Sequence, residues 1–439
     1  MRDTIFALAT PPGRSGVAVI RISGPDTIAI ASQMVAGGWP APRMASLRRF
    51  GEEGGRPIDE GLLLWFPGPH SFTGEDCAEF QVHGGPAIIE AMTDRLAGLG
   101  ARAAEAGEFT RRAFENGRLD LTEAEGLADL IDAETSAQRE QAFAQMTGVL
   151  RSLYEGWRQQ LLSVLASIEG EIDFPDEDDV PEALAQTASP LLDGLIGELE
   201  AHLKDDHRGE RIREGFNIAI IGPPNAGKSS LLNALAGREA AIVTDIPGTT
   251  RDIVEVRMVL GGFAVVVADT AGLRDTQDVV ESEGVKRALT RADSADYVVG
   301  VLDGAQPWRA EFLEILGKSD LIVVNKSDSD QSLTLPDSIV ALSLSVRTGA
   351  GVSELEARLT RIVREALTAR EMPALSRARH RQKVGAAFAA LTRANAQLFE
   401  PELAGEDVRL AVRALEGLTG RIDVEDVLGE VFSRFCIGK

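Results

Sequence analysis

The chain has 439 residues, 44% hydrophobic and 26% charged, and 45 Lys and Arg against 68 Asp and Glu give a net charge of −23. That composition is ordinary for a folded globular protein, with room for about three domains of roughly 150 residues. It excludes a chain that lives mainly by nonspecific nucleic-acid binding, a helical membrane span of about 18 apolar residues, and, with only Cys77 and Cys436, a disulfide framework.

In chain order, the apolar stretch within Met1 to Thr10 is too short for a signal peptide, so the cytoplasm is the expected location. Residues 1–118 read as mixed strand and turn, with Val17 to Ile22 and Gly61 to Phe66 strand-like between Pro and Gly. From Leu119 to Glu171 apolar residues recur at spacings of three and four, which predicts helices. Asp173 to Asp179 is an acidic connector, and a second helical stretch runs from about Leu184 to His207. Apolar runs at Phe216 to Ile221, Phe263 to Ala268, Leu321 to Val324 and Ile339 to Leu342 then predict strands of an α/β segment that closes on a helix, Val352 to Ala369. The chain is helical again from Leu375 to Leu418, with a break at Pro401. Arg377, Arg379, His380, Arg381 and Lys383 form the densest basic cluster and read as a solvated helix face. No internal repeat is seen. Helical segments on both sides of the α/β segment predict that it is inserted into a helical domain.

The motifs sit at the ends of the predicted strands. Gly222-Pro-Pro-Asn-Ala-Gly-Lys-Ser229 fits a phosphate loop, with a strand before it and a helix after it. Glycines let backbone N–H groups face a phosphate chain, and the helix start adds partial positive charge. Lys228 would bridge the outer phosphates, with Asn225, Gly227 and Ser230 around it, and Ser229 would hold magnesium. Thr249 and Thr250 lie in a polar loop, Asp269-Thr-Ala-Gly272 ends one apolar run, Asn325-Lys326-Ser-Asp328 another, and Ser345-Val-Arg347 follows a third. Asp328 selects the base, because guanine offers two donors to one carboxylate and adenine does not. These elements, in this order, predict a Ras-like P-loop GTPase of guanine specificity.

One residue is missing. Ras-type enzymes orient the attacking water with a Gln directly after Asp-x-x-Gly, and Leu273 stands there instead. Glu281 is a candidate, with Glu283 as competitor. No arginine finger is evident, and Asn225 is placed to help hold a monovalent cation where a finger would sit.

Further segments carry a resemblance over essentially the whole length: Ala9-Thr-Pro-Pro-Gly-Arg14, Arg21-Ile-Ser-Gly24, Phe66 to Glu75, His83-Gly-Gly-Pro86, Gly107-Glu-Phe-Thr110, Ile172 to Glu177, Ile242 to Thr250, and Phe435-Cys-Ile-Gly-Lys439. Together with the GTPase motifs they resemble the tRNA modification GTPase family known as MnmE or TrmE. The resemblance implies a multidomain α/β and α protein. Its parts would be an N-terminal folate-binding and dimerisation domain (1–118), a helical domain in two parts (119–213 and 372–439), and the GTPase between them (214–371). It implies potassium held by Asn225, Thr244, Ile246 and Thr249, magnesium held by Ser229 and Thr250, and water oriented by Glu281. It implies a 5-formyl- or 5,10-methylene-tetrahydrofolate on Arg21, Glu79, Arg118 and Lys439. Cys436 would act near the modified uridine, although a small buried residue in a docking tail fits that position too. It also implies a homodimer, tRNA as partner, and a FAD-binding partner, MnmG or GidA, in a heterotetramer or larger assembly. The product would be a carboxymethylaminomethyl or aminomethyl group on carbon 5 of the wobble uridine.

Two other functions compete. A ribosome-assembly GTPase would append a basic RNA-binding module, and none is seen. A folate-binding aminomethyl-transfer module with a regulatory GTPase would work without the flavoprotein.

Overall fold

The computed structural model describes residues 3–51, 55–173, 184–237, 254–269, 292–309, 313, 317–336, 339–368, 372–422, 425–433, 435 and 438. Two compact units are present, one of residues 1–128, 144–195 and 386–439, the other of 129–143 and 196–385.

The first unit opens with β1 (Ile5–Leu8), β2 (Ser15–Ser23), β3 (Val35–Ala36), β4 (Ser46–Gly51), β5 (Pro57–Phe66), β6 (Cys77–Gly84) and β7 (Arg102–Ala103). They form one sheet in the order β3-β4-β5-β6-β2-β1-β7. Alternation along the strands turns Ile20, Ile22, Phe50, Leu63 and Phe80 to one face, where they are buried with Met92 and Leu96 of the helix Pro86–Gly98. The opposite face carries Arg21 directly across from Glu79. The expected strands are both present, but each is longer than its apolar core because pairing extends into polar ends.

The predicted helical stretch 119–171 is three helices, Leu121–Asp132, Ser136–Met146 and Val149–Asp173. Within the first unit, the last of these packs on Pro401–Thr419, with Arg158 donating from Nε to Glu416 Oε1 at 2.8 Å. Gly405 faces this contact, and an added Cβ there would lie 3.3 Å from Ile168 Cγ2, close enough that Ile168 would have to shift by a few tenths of an ångström. The expected break falls between Ala396 and Pro401, and Pro401 opens the following helix instead of ending the preceding one. That is where its missing N–H costs nothing.

The tail returns to the N-terminal sheet. Gly107 meets the Phe432 carbonyl at a distance that leaves no room for a Cβ (2.4 Å). Gly438, with φ of +104°, lies against the Leu8 carbonyl, where a Cβ would stand 2.3 Å away. Both positions require glycine.

The second unit is built on β8 (Phe216–Ile221), β9 (Val254–Leu260), β10 (Phe263–Asp269), β11 (Tyr297–Asp303), β12 (Leu321–Asn325) and β13 (Ala341–Ser343). The sheet order is β13-β12-β11-β8-β10-β9, with β9 the antiparallel edge. The near-continuous apolar runs of β8, β11 and β12 are buried, as expected of parallel strands covered on both faces. Helix Val352–Leu367 buries Leu355, Leu359 and Val363 against this core.

The basic cluster is not a solvated face. Arg377 pairs with Asp129 at 2.7 Å, Arg381 with Asp205 at 2.8 Å and Glu210 at 3.0 Å, and His380 is fully buried. Its charges are used inside the second unit. Among the described residues, no helix is long and apolar enough to cross a membrane.

Candidate functional site

Strands β8, β10, β11, β12 and β13 run parallel, so their carboxyl ends share one edge. Chain order reverses between β8 and β11, which makes the crevice there the expected ligand position. The loop after β8 enters it. Gly222 passes so close to β11 that a Cβ would meet the Val301 carbonyl at 2.2 Å. Gly227, with φ of +94°, leaves only 2.2 Å between a Cβ and Asn325 Nδ2. Asn225 also adopts positive φ, 60°, a conformation asparagine tolerates better than most residues. The loop is therefore specified by contacts on two sides. It leads into the helix Lys228–Ala236, which has no side-chain cap at its start, so N–H groups there face the loop's mouth. Lys228 donates to the Gly222 and Pro223 carbonyls, each at 2.9 Å. Ser229 and Ser230 are exposed beside it.

Asn325 joins this loop to the rest of the site. It is buried, donates from Nδ2 to the Ala226 carbonyl at 2.9 Å, and accepts from the Val346 N–H at 3.2 Å. Its neighbour Lys326, at φ of 65°, donates from Nζ to Asp303 Oδ2 at 2.7 Å. Asp328 Oδ1 accepts from the Ser345 hydroxyl at 2.5 Å, and Arg347 pairs with the same carboxylate from solvent. The Ser345 hydroxyl first, and Arg347 with it, hold the Asp328 carboxyl below the usual carboxylate range. A carboxylate has about four acceptor positions, so these partners orient Asp328 and leave capacity for two donors of a purine edge.

Ten of the expected GTP-site positions thus converge on one edge: Gly222, Asn225, Gly227, Lys228, Ser229, Ser230, Asn325, Lys326, Asp328 and Ser345. Asp269 ends β10, paired in register with Ile220, while its side chain lies outside the described residues. Thr244, Ile246, Thr249, Thr250, Gly272, Leu273, Glu281 and Glu283 lie outside them too. Asp303 was not anticipated, although a signal for it exists. Tyr297 to Leu302 is an apolar run that ends in an acid, the same pattern that singled out Asp269.

A second polar group lies on the N-terminal sheet. Arg21 Nε donates to Glu79 Oε1 at 3.0 Å, and its guanidinium carbon sits 5.3 Å from the Phe72 ring centre and 5.7 Å from that of Phe109. A planar cation within cation–π reach of two rings and joined to a carboxylate suits a flat heterocycle with donors on its edge. Arg118 is exposed near Gly74, whose added Cβ would be 3.2 Å from Arg118 Cγ. Gly438 brings the tail against Leu8, next to Ala7, which is paired with Arg21. Cys436 and Lys439 lie outside the described residues. The Phe-Thr-Gly-Glu75 segment has a structural part of its own. Glu75 Oε2 accepts from buried Arg112 at 3.0 Å and from the Ser23 hydroxyl at 2.9 Å.

Comparison with known proteins identifies the family of the chain. Residues 4–118 match the family described as GTP-binding protein TrmE N-terminus, and residues 121–436 match the MnmE helical domain. The tRNA modification GTPase MnmE of Maricaulis maris is 60% identical over 443 residues, covering 100% of both chains. That of Hyphomonas neptunium is 53% identical over 442 residues, covering 100% of this chain and 99% of its own. Among solved structures, the G domain of the T. maritima FeoB iron transporter is 25% identical over 33% of this chain and 97% of its own, with a TM-score of 0.25.

Proposed function

Because the chain belongs to the MnmE family of tRNA modification GTPases, we propose that it couples potassium-activated GTP hydrolysis to modification of carbon 5 of the wobble uridine in certain tRNAs. The observation that carries this reading is the convergence on Asn325. One buried amide holds the phosphate loop to the loop that orients Asp328, so the phosphate end and the base end of a guanine nucleotide are read together.

In this reading Asp328 accepts the two guanine donors, Ser345 and Arg347 keep its carboxylate ionised and aimed, and Lys228 leaves the loop carbonyls for the phosphates. Metal ions would supply charge stabilisation to those phosphates. Ser229 and Thr250 would hold magnesium, and Asn225, Thr244, Ile246 and Thr249 would hold potassium. An exposed hydroxyl at an uncapped helix start and an exposed amide on the phosphate loop fit those tasks. Glu281 would orient the attacking water in place of the side chain that Leu273 lacks.

The folate that would supply a one-carbon unit would be held by Arg21, Glu79, Arg118 and Lys439. The Arg21–Glu79 pair within reach of Phe72 and Phe109 supports this assignment. Cys436 would act beside it, and Gly438 at the Leu8 carbonyl supports a tail anchored near that corner. We assign a homodimer through the N-terminal sheet, whose outer face pairs exposed Leu47 with Leu62. We also assign a FAD-dependent partner, a cytoplasmic location, and the domain division 1–118, 119–213, 214–371 and 372–439.

The test is GTP turnover in matched potassium and sodium salts, followed by tRNA modification with and without the flavoprotein. Faster turnover in potassium and dependence on the partner are expected. Equal rates in the two salts would remove the cation from the account, and conversion without the partner would favour the folate-transfer alternative.

A further inference from the structure

The guanine site contains a charge that could defeat its own selectivity. Lys326 stands two residues from Asp328, on a four-carbon stem, within the same short loop. An ammonium so placed would pair with Asp328 and occupy the acceptors that guanine needs. In the structure it does not, because Lys326 Nζ is drawn across the sheet edge to Asp303 Oδ2 at 2.7 Å.

Asp303 is built for that contact. It ends β11 directly opposite Asn325 in the parallel register, and it is buried. Its other oxygen accepts from the Ala305 N–H at 3.0 Å, which fixes the carboxylate. The Lys326 backbone is held as well. Gln331 Nε2 donates to its carbonyl at 2.9 Å, and the Gly304 N–H donates to the Asn325 carbonyl at 2.9 Å. A Cβ on Gly304 would lie 2.2 Å from Gln331 Oε1 and 3.0 Å from the Asn325 carbonyl, so it would push the Gln331 amide off the Lys326 carbonyl. Backbone and side chain of Lys326 are therefore held from the end of β11 and from the loop that follows β12.

Arg347 also touches Asp328, but differently. Its side chain is 77% exposed. Ion pairs in water are weak and are readily exchanged. Lys326 is 38% exposed at its side chain but tied to a buried carboxylate and to a held backbone, so once released it would compete from a fixed position beside Asp328.

We propose that Asp303 is a positioning residue for base selection, holding the Lys326 ammonium away from Asp328 so that this carboxylate remains open to the guanine edge. The inference rests on the guanine-site reading given above.

The experiment measures dissociation constants of GDP and inosine diphosphate for the full chain. Inosine diphosphate lacks the 2-amino donor and makes one fewer hydrogen bond to Asp328. Asp303→Asn keeps the shape and the Ala305 contact but releases Lys326. The GDP-over-inosine-diphosphate preference should fall by about tenfold, the worth of one hydrogen bond to a charged group. Adding Lys326→Met to Asp303→Asn should restore the preference, since no ammonium remains to compete. A purely structural role for Asp303 would weaken both nucleotides equally and leave the preference intact, which overturns the proposal. Should Asp303→Asn not fold, Asp303→Ala, which also releases Lys326, is measured in its place. A fallen GDP-over-inosine-diphosphate preference supports the proposal and an intact one overturns it. Wild-type protein that does not distinguish the two nucleotides would instead defeat the guanine-site reading itself.

Discussion

Replacing Asn325 with alanine removes a side chain that touches both loops of the nucleotide site. Two hydrogen bonds disappear, to the Ala226 carbonyl at 2.9 Å and from the Val346 N–H at 3.2 Å. Asn325 is buried, so water does not simply replace the lost amide. Each neutral bond contributes about 1 kcal/mol net, and each stranded partner costs about 1–3 kcal/mol. Two stranded partners at about 1–3 kcal/mol each give a loss of about 2–6 kcal/mol divided between free-protein stability and nucleotide affinity, and half of it in affinity is roughly 5- to 140-fold at about 1.4 kcal/mol per decade. Nucleotide would recover part of the order on binding, so GDP and GTP should both weaken, with the free protein melting lower as well. Competition against a fluorescent guanine nucleotide gives the affinities, and a thermal melt with and without GDP separates the two contributions. An affinity within threefold of wild type, with an unchanged melt, would refute the idea that this amide couples the loops.

Other outcomes follow from single contacts. Gly438→Ala forces a Cβ to within 2.3 Å of the Leu8 carbonyl at φ of +104°, so the tail should detach and become sensitive to carboxypeptidase while GDP affinity is unchanged; wild-type resistance would show that the tail is held otherwise. Asp328→Asn exchanges an acceptor for a donor, so guanine nucleotides should weaken by at least about tenfold and xanthine nucleotides should gain; unchanged guanine preference in a binding assay would refute base reading by Asp328. Burial, the largest cause, lowers the His202 imidazole from its ordinary 6.5. Its folded form binds a proton less readily than the unfolded chain, so its contribution is full above about pH 6.5 and is lost as pH falls toward the folded value. Denaturant melts between about pH 7 and 5 should show falling stability, and His202→Phe should flatten that slope; an unchanged slope would place the pH dependence elsewhere.

Much of the nucleotide site was legible because its chemistry constrains backbone as well as side chain. Gly222 and Gly227 must be glycine for reasons of space, and Asn325 follows a buried strand whose apolar run announces its end. Local pattern was enough for those. Partners far away in sequence were not legible. The cluster at Arg377 to Lys383 resembled a solvated face because Asp129 and Asp205 lie 248 and 176 residues from the arginines they neutralise. Asp303 ends an apolar run, but its partner is set only by the register that places β11 beside β12. Phe72 and Phe109 come within reach of Arg21 only after the sheet and the helix Glu108–Glu115 have folded together. The break at Pro401 was legible as well, since a proline at the first turn starts a new helix where it cannot continue the old one.

The central claim, that this GTPase works in tRNA modification, is tested most directly by mass spectrometry of tRNA nucleosides. Cells lacking the gene would be compared with cells rescued by wild type, by Asp328→Asn and by Cys436→Ser. The account predicts loss of carboxymethylaminomethyl and aminomethyl uridines in the deletion strain, restored by wild type and by neither variant. Normal wobble uridines in the deletion strain would contradict it and turn attention to a GTPase acting in ribosome assembly.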